Sequence, residues 1–135
     1  MSENILFVCV ENAGRSQMAE AFFRKFAPNN FNVSSAGTTP SSQLNPIVIQ
    51  VMKEVDIDIK NQQPKLLSDS MIENSFKTVN MGCMDKESCS SLFVKDAIDW
   101  NISDPKEKSL DDIREIRDKI QFEVMNLIQS LDGNI

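Results

Sequence analysis

Near its start the chain carries an unbroken apolar run, Ile5-Leu6-Phe7-Val8-Cys9-Val10, β-branched in part. Continuous rather than alternating apolarity predicts a strand buried on both faces, as in a parallel sheet. After a short polar turn the period changes. From Ser16 onward Met18, Ala19, Phe22 and Phe26 recur at helical spacing, and Pro28 closes the helix. Phe31 to Ser35 predicts a second strand ending at Ala36-Gly37. Asn45-Pro46 is an N-cap followed by proline at the first helical position, opening a helix through Ile47, Val48, Val51, Met52 and Val55. Ser68-Asp69-Ser70 caps a short helix through Ile72, Phe76 to Met81 forms a third strand, and Asp96 to Ile102 a short fourth. Ser109 caps the last helix, in which Ile113, Ile116, Ile120, Val124, Leu127 and Leu131 line one face before Gly133 stops it.

Strands alternating with helices place the chain in the α/β class: a four-stranded parallel sheet with helices on both faces and right-handed crossovers. Its 135 residues suffice for one domain, expected to span 1–135, and are too few for two. Composition then narrows the chemistry. There is no histidine and no tyrosine, which removes Ser-His-Asp triads, Cys-His dyads and histidine metal sites. A net charge of -6 argues against nucleic acid as a partner. The excess is uneven, since residues 1–67 balance and residues 68–135 carry all of it, so an anion site belongs more naturally in the first half. The apolar run at 5–10 is too short for a signal peptide core or a membrane span. A cytoplasmic monomer is expected, with no membrane partner. In a reducing compartment an odd set of cysteines, Cys9, Cys83 and Cys89, points to redox or nucleophilic chemistry rather than a structural framework.

The segment Cys9-Val10-Glu11-Asn12-Ala13-Gly14-Arg15-Ser16 joins the first strand to the first helix. Ligands of doubly wound sheets bind beyond the carboxyl ends of the strands. There, backbone N–H groups and the helix dipole favour an anion. Asn12 and Gly14 tolerate the left-handed backbone of an anion nest, and Arg15 adds a planar fork suited to two oxygens of a tetrahedral oxyanion. The same field stabilises a thiolate at Cys9, to which Ser16 donates. Substrate contacts are therefore expected from Val10, Glu11, Asn12, Ala13, Gly14, Arg15 and Ser16. The acidic Glu11 and the scarcity of aromatics, with Trp100 the only tryptophan, favour a small inorganic substrate.

Cys9 to Ser16, followed by Gln17-Met18-Ala19-Glu20, resembles the phosphate-binding loop of the low-molecular-weight protein tyrosine phosphatase superfamily. Within that superfamily the chain is most similar to the arsenate reductases of the thioredoxin-coupled type. Ser35-Ala36-Gly37-Thr38, Asn45-Pro46 and the Trp100 to Pro105 segment resemble further signatures in the expected order. The resemblance implies thiolate attack by Cys9 on arsenate or phosphate. It also implies general acid catalysis by Asp104 of the Asp-Pro pair, with Asp99 as the backup, and a disulfide relay in which Cys83 attacks the adduct and Cys89 receives the disulfide. The alternative it carries is a phosphatase that hydrolyses phosphate monoesters through a phosphocysteine at Cys9.

Residues six apart on a helix lie about 9 Å apart along its axis. A disulfide needs Cα atoms roughly 4.4–6.8 Å apart. A Cys83–Cys89 bond therefore requires any regular helix there to open, and the segment is expected to be mobile or to differ between redox states. The pair is one residue closer than is usual in the thioredoxin-coupled enzymes, and relatives with Gly-Cys at 82–83 include users of a small thiol. The expected reductant is thus thioredoxin, a glutaredoxin-type protein or a small thiol, with no tightly bound cofactor. Lys65 is expected to approach Asn12 and supply a cation near the loop, where some relatives hold an alkali ion.

Overall fold

The computed structural model describes residues 3–81, 97–100, 102–103, 105 and 108–132. The elements in chain order are β1 (Glu3–Cys9), α1 (Arg15–Phe26), β2 (Phe31–Gly37), α2 (Pro46–Lys53), α3 (Asp69–Glu73), β3 (Lys77–Asn80), β4 (Ile98–Asp99) and α4 (Leu110–Asp132). The strands form one parallel sheet in the order β2-β1-β3-β4.

β1 lies between β2 and β3, which explains its unbroken apolarity. Ile5, Phe7 and Cys9 face a large core shared with α1, α2 and α4, whereas Leu6 and Val8 face a smaller core with Ala36 and Ile72. From Ile5 to Cys9 both faces of the strand are dry, so neither phase of the pleat tolerates a charged side chain there. The chain leaves β1 toward β2 on one side and later enters β3 on the other. The strand order thus reverses at β1, and the crevice above its carboxyl end is where such a sheet binds ligands.

The capping expectations hold at three helices. Asn45 Oδ1 accepts from Ile47 N at 3.0 Å, Ser68 Oγ from Met71 N at 3.3 Å, and Ser109 Oγ from Asp112 N at 3.1 Å. Along α4, Ile113, Ile116, Ile120, Val124 and Leu127 are buried as their spacing predicts.

Three elements are shorter than their patterns suggest. α2 stops at Lys53, before Val55, because Asp56 adopts a left-handed φ of 64°. Ile57 N then reaches back to Met52 O at 3.0 Å and Asp56 N to Lys53 O at 3.0 Å, the paired bonds of a Schellman ending. β4 pairs only through Ile98 and Asp99, because its partner β3 is itself four residues long and β4 meets just its last two. Trp100 N adds one more bond to Asn80 O at 2.9 Å, while the indole packs 5.6 Å from the Phe7 ring. The third strand likewise spans 77–80 rather than 76–81. No helix among the described residues is long and apolar enough to cross a membrane.

Candidate functional site

Residues 9–16 connect β1 to α1, and their conformation follows from where their carbonyls go. Cys9 O accepts from Thr38 N at 3.3 Å, Val10 O from Thr39 N at 2.8 Å and Glu11 O from Ser41 N at 2.9 Å. Asn12 O accepts from Gln17 Nε2 at 2.9 Å, Ala13 O from Asn45 N at 3.0 Å and Gly14 O from Met18 N at 2.9 Å. Six consecutive carbonyls are thus turned outward onto partners. In a trans peptide the N–H of the next residue points the opposite way, and no peptide here is cis. The N–H groups of residues 10–15 therefore converge on the inside of the loop. The left-handed turn at Asn12, φ 52°, closes the curve.

The Cys9 sulfur lies at that convergence, with the residue only 2% exposed. Asn12 N donates to it at 3.2 Å and Ser16 Oγ lies 2.9 Å away. The direction of the second bond is determined by its neighbours. Lys65 N donates to Asn12 Oδ1 at 2.8 Å, so the Asn12 Nδ2 is the end that faces Ser16, donating to its oxygen at 2.6 Å. The Ser16 proton then points at the sulfur. α1 adds its positive end, with no acidic side chain in its first turn.

Above the sulfur a cavity of about 280 Å³ is lined by Cys9, Glu11, Ala13, Gly14 and Arg15 of the loop, by residues 41 and 43–46, and by Pro105. Of the expected substrate contacts, Asn12 and Ser16 are fully buried and lie behind the sulfur rather than on the cavity wall, and Val10 also is not on it. Arg15 is held by two carbonyls at the sheet's carboxyl end, Nη1 donating to Met81 O at 2.8 Å and Ile102 O at 3.2 Å. Pro105 abuts Gly14 so closely that a Cβ on Gly14 would lie 2.8 Å from its Cγ. Pro105 is thereby brought to the loop; Asp104, like Cys83, Cys89 and the 82–95 stretch, lies outside the described residues. Asp99 is exposed in β4 and does not line the cavity.

The Lys65 expectation needs correction in detail. Its main-chain N–H, not its ammonium, meets Asn12. The ammonium donates to Gln63 O at 3.2 Å and lies 3.7 Å from the buried carboxylate of Glu20, which also accepts from Ser35 Oγ at 2.8 Å and Arg24 Nη2 at 2.9 Å. No cluster of three or more His, Cys, Asp or Glu suited to a metal occurs among the described residues. The sequence reading assigned no role of their own to residues 41, 43 and 44 of the wall or to Gln17, an amide side chain buried in the first turn of α1.

The profile of the family described as low molecular weight phosphotyrosine protein phosphatase matches residues 4–135. A Staphylococcus aureus protein named arsenate reductase is 35% identical over 126 residues, covering 92% of this chain and 95% of that protein. The solved structure of a thioredoxin-dependent arsenate reductase from Corynebacterium glutamicum superposes with a TM-score of 0.81 at 31% identity. That match covers 99% of this chain, which spans 64% of the Corynebacterium chain. Another solved structure, an arsenate reductase in the phosphate binding state, gives a TM-score of 0.81 at 28% identity and covers 95% of this chain and 98% of its own.

Proposed function

Since the chain belongs to the low molecular weight phosphotyrosine protein phosphatase family, we propose that it reduces arsenate to arsenite by thiolate attack and a disulfide relay. The observation that carries the first step is the Cys9 sulfur seated among inward N–H groups below a cavity with no aromatic wall among the described residues. Such a site suits a small tetrahedral oxyanion. Trp100, the only tryptophan of the chain, packs on Phe7 and does not line the cavity.

In the proposed sequence the Cys9 thiolate bonds to As(V) while one oxygen departs as water, protonated by Asp104. The loop amides and Arg15 hold the remaining oxygens. Cys83 then attacks the Cys9 sulfur. The S–As bond breaks with its electron pair passing to arsenic, which leaves as arsenite, and a Cys9–Cys83 disulfide remains. Cys89 attacks Cys83, releasing Cys9 and forming Cys83–Cys89. Thioredoxin, whose use is named for the Corynebacterium relative, returns two electrons; a glutaredoxin-type or small thiol is the other donor. The chain acts as a cytoplasmic monomer whose single domain spans residues 1–135. The cation of this region is the Lys65 ammonium beside Glu20 rather than an alkali ion.

The test is arsenate-dependent NADPH oxidation in the presence of thioredoxin and its reductase, with mapping of the oxidised product. Cys9→Ser abolishes turnover, Asp104→Asn lowers it by about 10²–10⁴-fold, and a Cys83–Cys89 disulfide accumulates when thioredoxin is withheld. Aryl phosphate hydrolysis that needs Cys9 and Asp104 but ignores Cys83 and Cys89, with no arsenate turnover on any donor, would make the protein a phosphatase instead.

A further inference from the structure

We infer that Gln17 is a positioning residue: it fixes the direction of the hydrogen bonds that reach the Cys9 sulfur and ties that sulfur to the 61–65 turn. The inference rests on Cys9 being the nucleophile, as proposed above.

Gln17 sits in the first turn of α1 and is fully buried. Its Nε2 lies 2.9 Å from Asn12 O, 3.0 Å from Asn12 Oδ1 and 3.0 Å from Gln63 O. Two of these are main-chain carbonyls, which only accept, so the end of the amide facing the loop is the donor end. Its Oε1 accepts from Gln62 Nε2 at 2.6 Å, and Gln62 Oε1 in turn takes Arg24 Nη1 at 3.4 Å. The order of donation is therefore Arg24 to Gln62, Gln62 to Gln17, Gln17 to Asn12, Asn12 to Ser16, and Ser16 to Cys9.

Each bond in that series points the same way, so each polarises the next. The step at Asn12 is the one that could fail. Its side-chain amide must present Nδ2 to Ser16, and Lys65 N and Gln17 Nε2 both secure this by donating to Oδ1. Gln17 does a second thing, satisfying the Asn12 carbonyl that the left-handed turn pushes outward. Without a donor at that carbonyl the turn would bury an unpaired acceptor, and the inward N–H of Ala13 on the same peptide would lose its fixed direction.

The readout is alkylation of Cys9 by iodoacetamide across a range of pH, quantified on the Cys9 peptide by mass spectrometry so that Cys83 and Cys89 do not contribute. Gln17→Met keeps the volume and removes both donors. It is expected to move the Cys9 profile upward by about one pH unit, a tenfold loss of thiolate at a pH below both midpoints. Asn12→Ala is the positive control. Gln62→Met, at a half-buried position, is expected to move the profile the same way by about threefold and serves where Gln17→Met does not fold. In urea all profiles coincide if the effect belongs to the folded relay. A folded Gln17→Met whose profile matches that of the unsubstituted protein overturns the inference, as does an unmoved Gln62→Met where it must stand in. Arsenate plays no part in this measurement, so the relay can fail while the reductase reading stands, and the reverse.

Discussion

At Gly37 the end of β2 approaches the loop more closely than a side chain allows. A Cβ there would lie 2.5 Å from Val10 O and 2.9 Å from Asn12 N. The requirement is one of space, set by the two residues that follow: Thr38 N and Thr39 N hold the Cys9 and Val10 carbonyls outward, and they reach them only if Gly37 stays close. Gly37 also pairs on its other side, its N–H donating to Lys65 O and its carbonyl accepting from Leu67 N, both at 2.8 Å. Backbone contacts on both flanks leave the residue no direction in which to retreat. Gly37→Ala is accordingly expected to destabilise the protein by about 1–3 kcal/mol. It should also lower turnover by at least about tenfold, because the carbonyls it displaces aim the amides at the oxyanion. Urea denaturation together with arsenate turnover tests this, and an alanine variant with both unchanged would contradict the account of the loop.

α2 begins and ends on identifiable residues, and each predicts a stability change of known sign. Asn45 caps the first turn through its side chain, so Asn45→Ala should cost about 1 kcal/mol. Its main-chain N–H still reaches Ala13 O in that variant, so the loss should appear in thermal stability more than in turnover. Asp56 is exposed and left-handed at the helix end, a conformation that glycine adopts without penalty. Asp56→Gly should therefore raise stability by roughly 0.5–1 kcal/mol, read from the same melts. The start of α2 was legible in the sequence because Asn-Pro is a local signal. Its end was not, because Val55 continues the apolar period and nothing in the neighbouring residues announces that Asp56 turns left-handed. β4 misleads for the same reason: its apolar residues extend past the point where β3 can pair with them. At the site, Cys9, Arg15 and Ser16 were readable from one short segment. The residues that bind its carbonyls come from 17, 18, 38, 39, 41 and 45, and beyond the helical bond from 18 no local pattern specifies which donors a fold will bring there.

α4 packs against both α1 and α2, so it joins the helix that begins at the site to the one that forms its wall. Beside that apolar contact lies an ion-pair network. Glu54, just past α2, accepts from Arg114 Nη2 at 2.7 Å and from Arg117 Nη1 at 2.8 Å. Arg117 also donates to Val51 O at 2.9 Å, and Arg114 to Asp111 at 2.8 Å. The Arg114 hydrogen bonds foremost, with Arg117 second, lower the Glu54 carboxyl from the usual 4.5 to about 2. A carboxyl whose folded value is depressed contributes stability that is fully present above its unfolded value and lost as pH falls through the folded one. Between about pH 4.5 and pH 2, then, part of the protein's acid sensitivity belongs to this group. Glu54→Gln should be less stable than the unsubstituted protein at neutral pH, and the gap should close as the pH is lowered through that window. Because the Glu54 side chain is 32% exposed, the gap at neutral pH should also narrow at about 1 M salt, where the screening length is roughly 3 Å. Urea melts of both proteins at several pH values, each at low and high salt, check this. A gap indifferent to both pH and salt would mean that the helices are joined by their apolar contact alone.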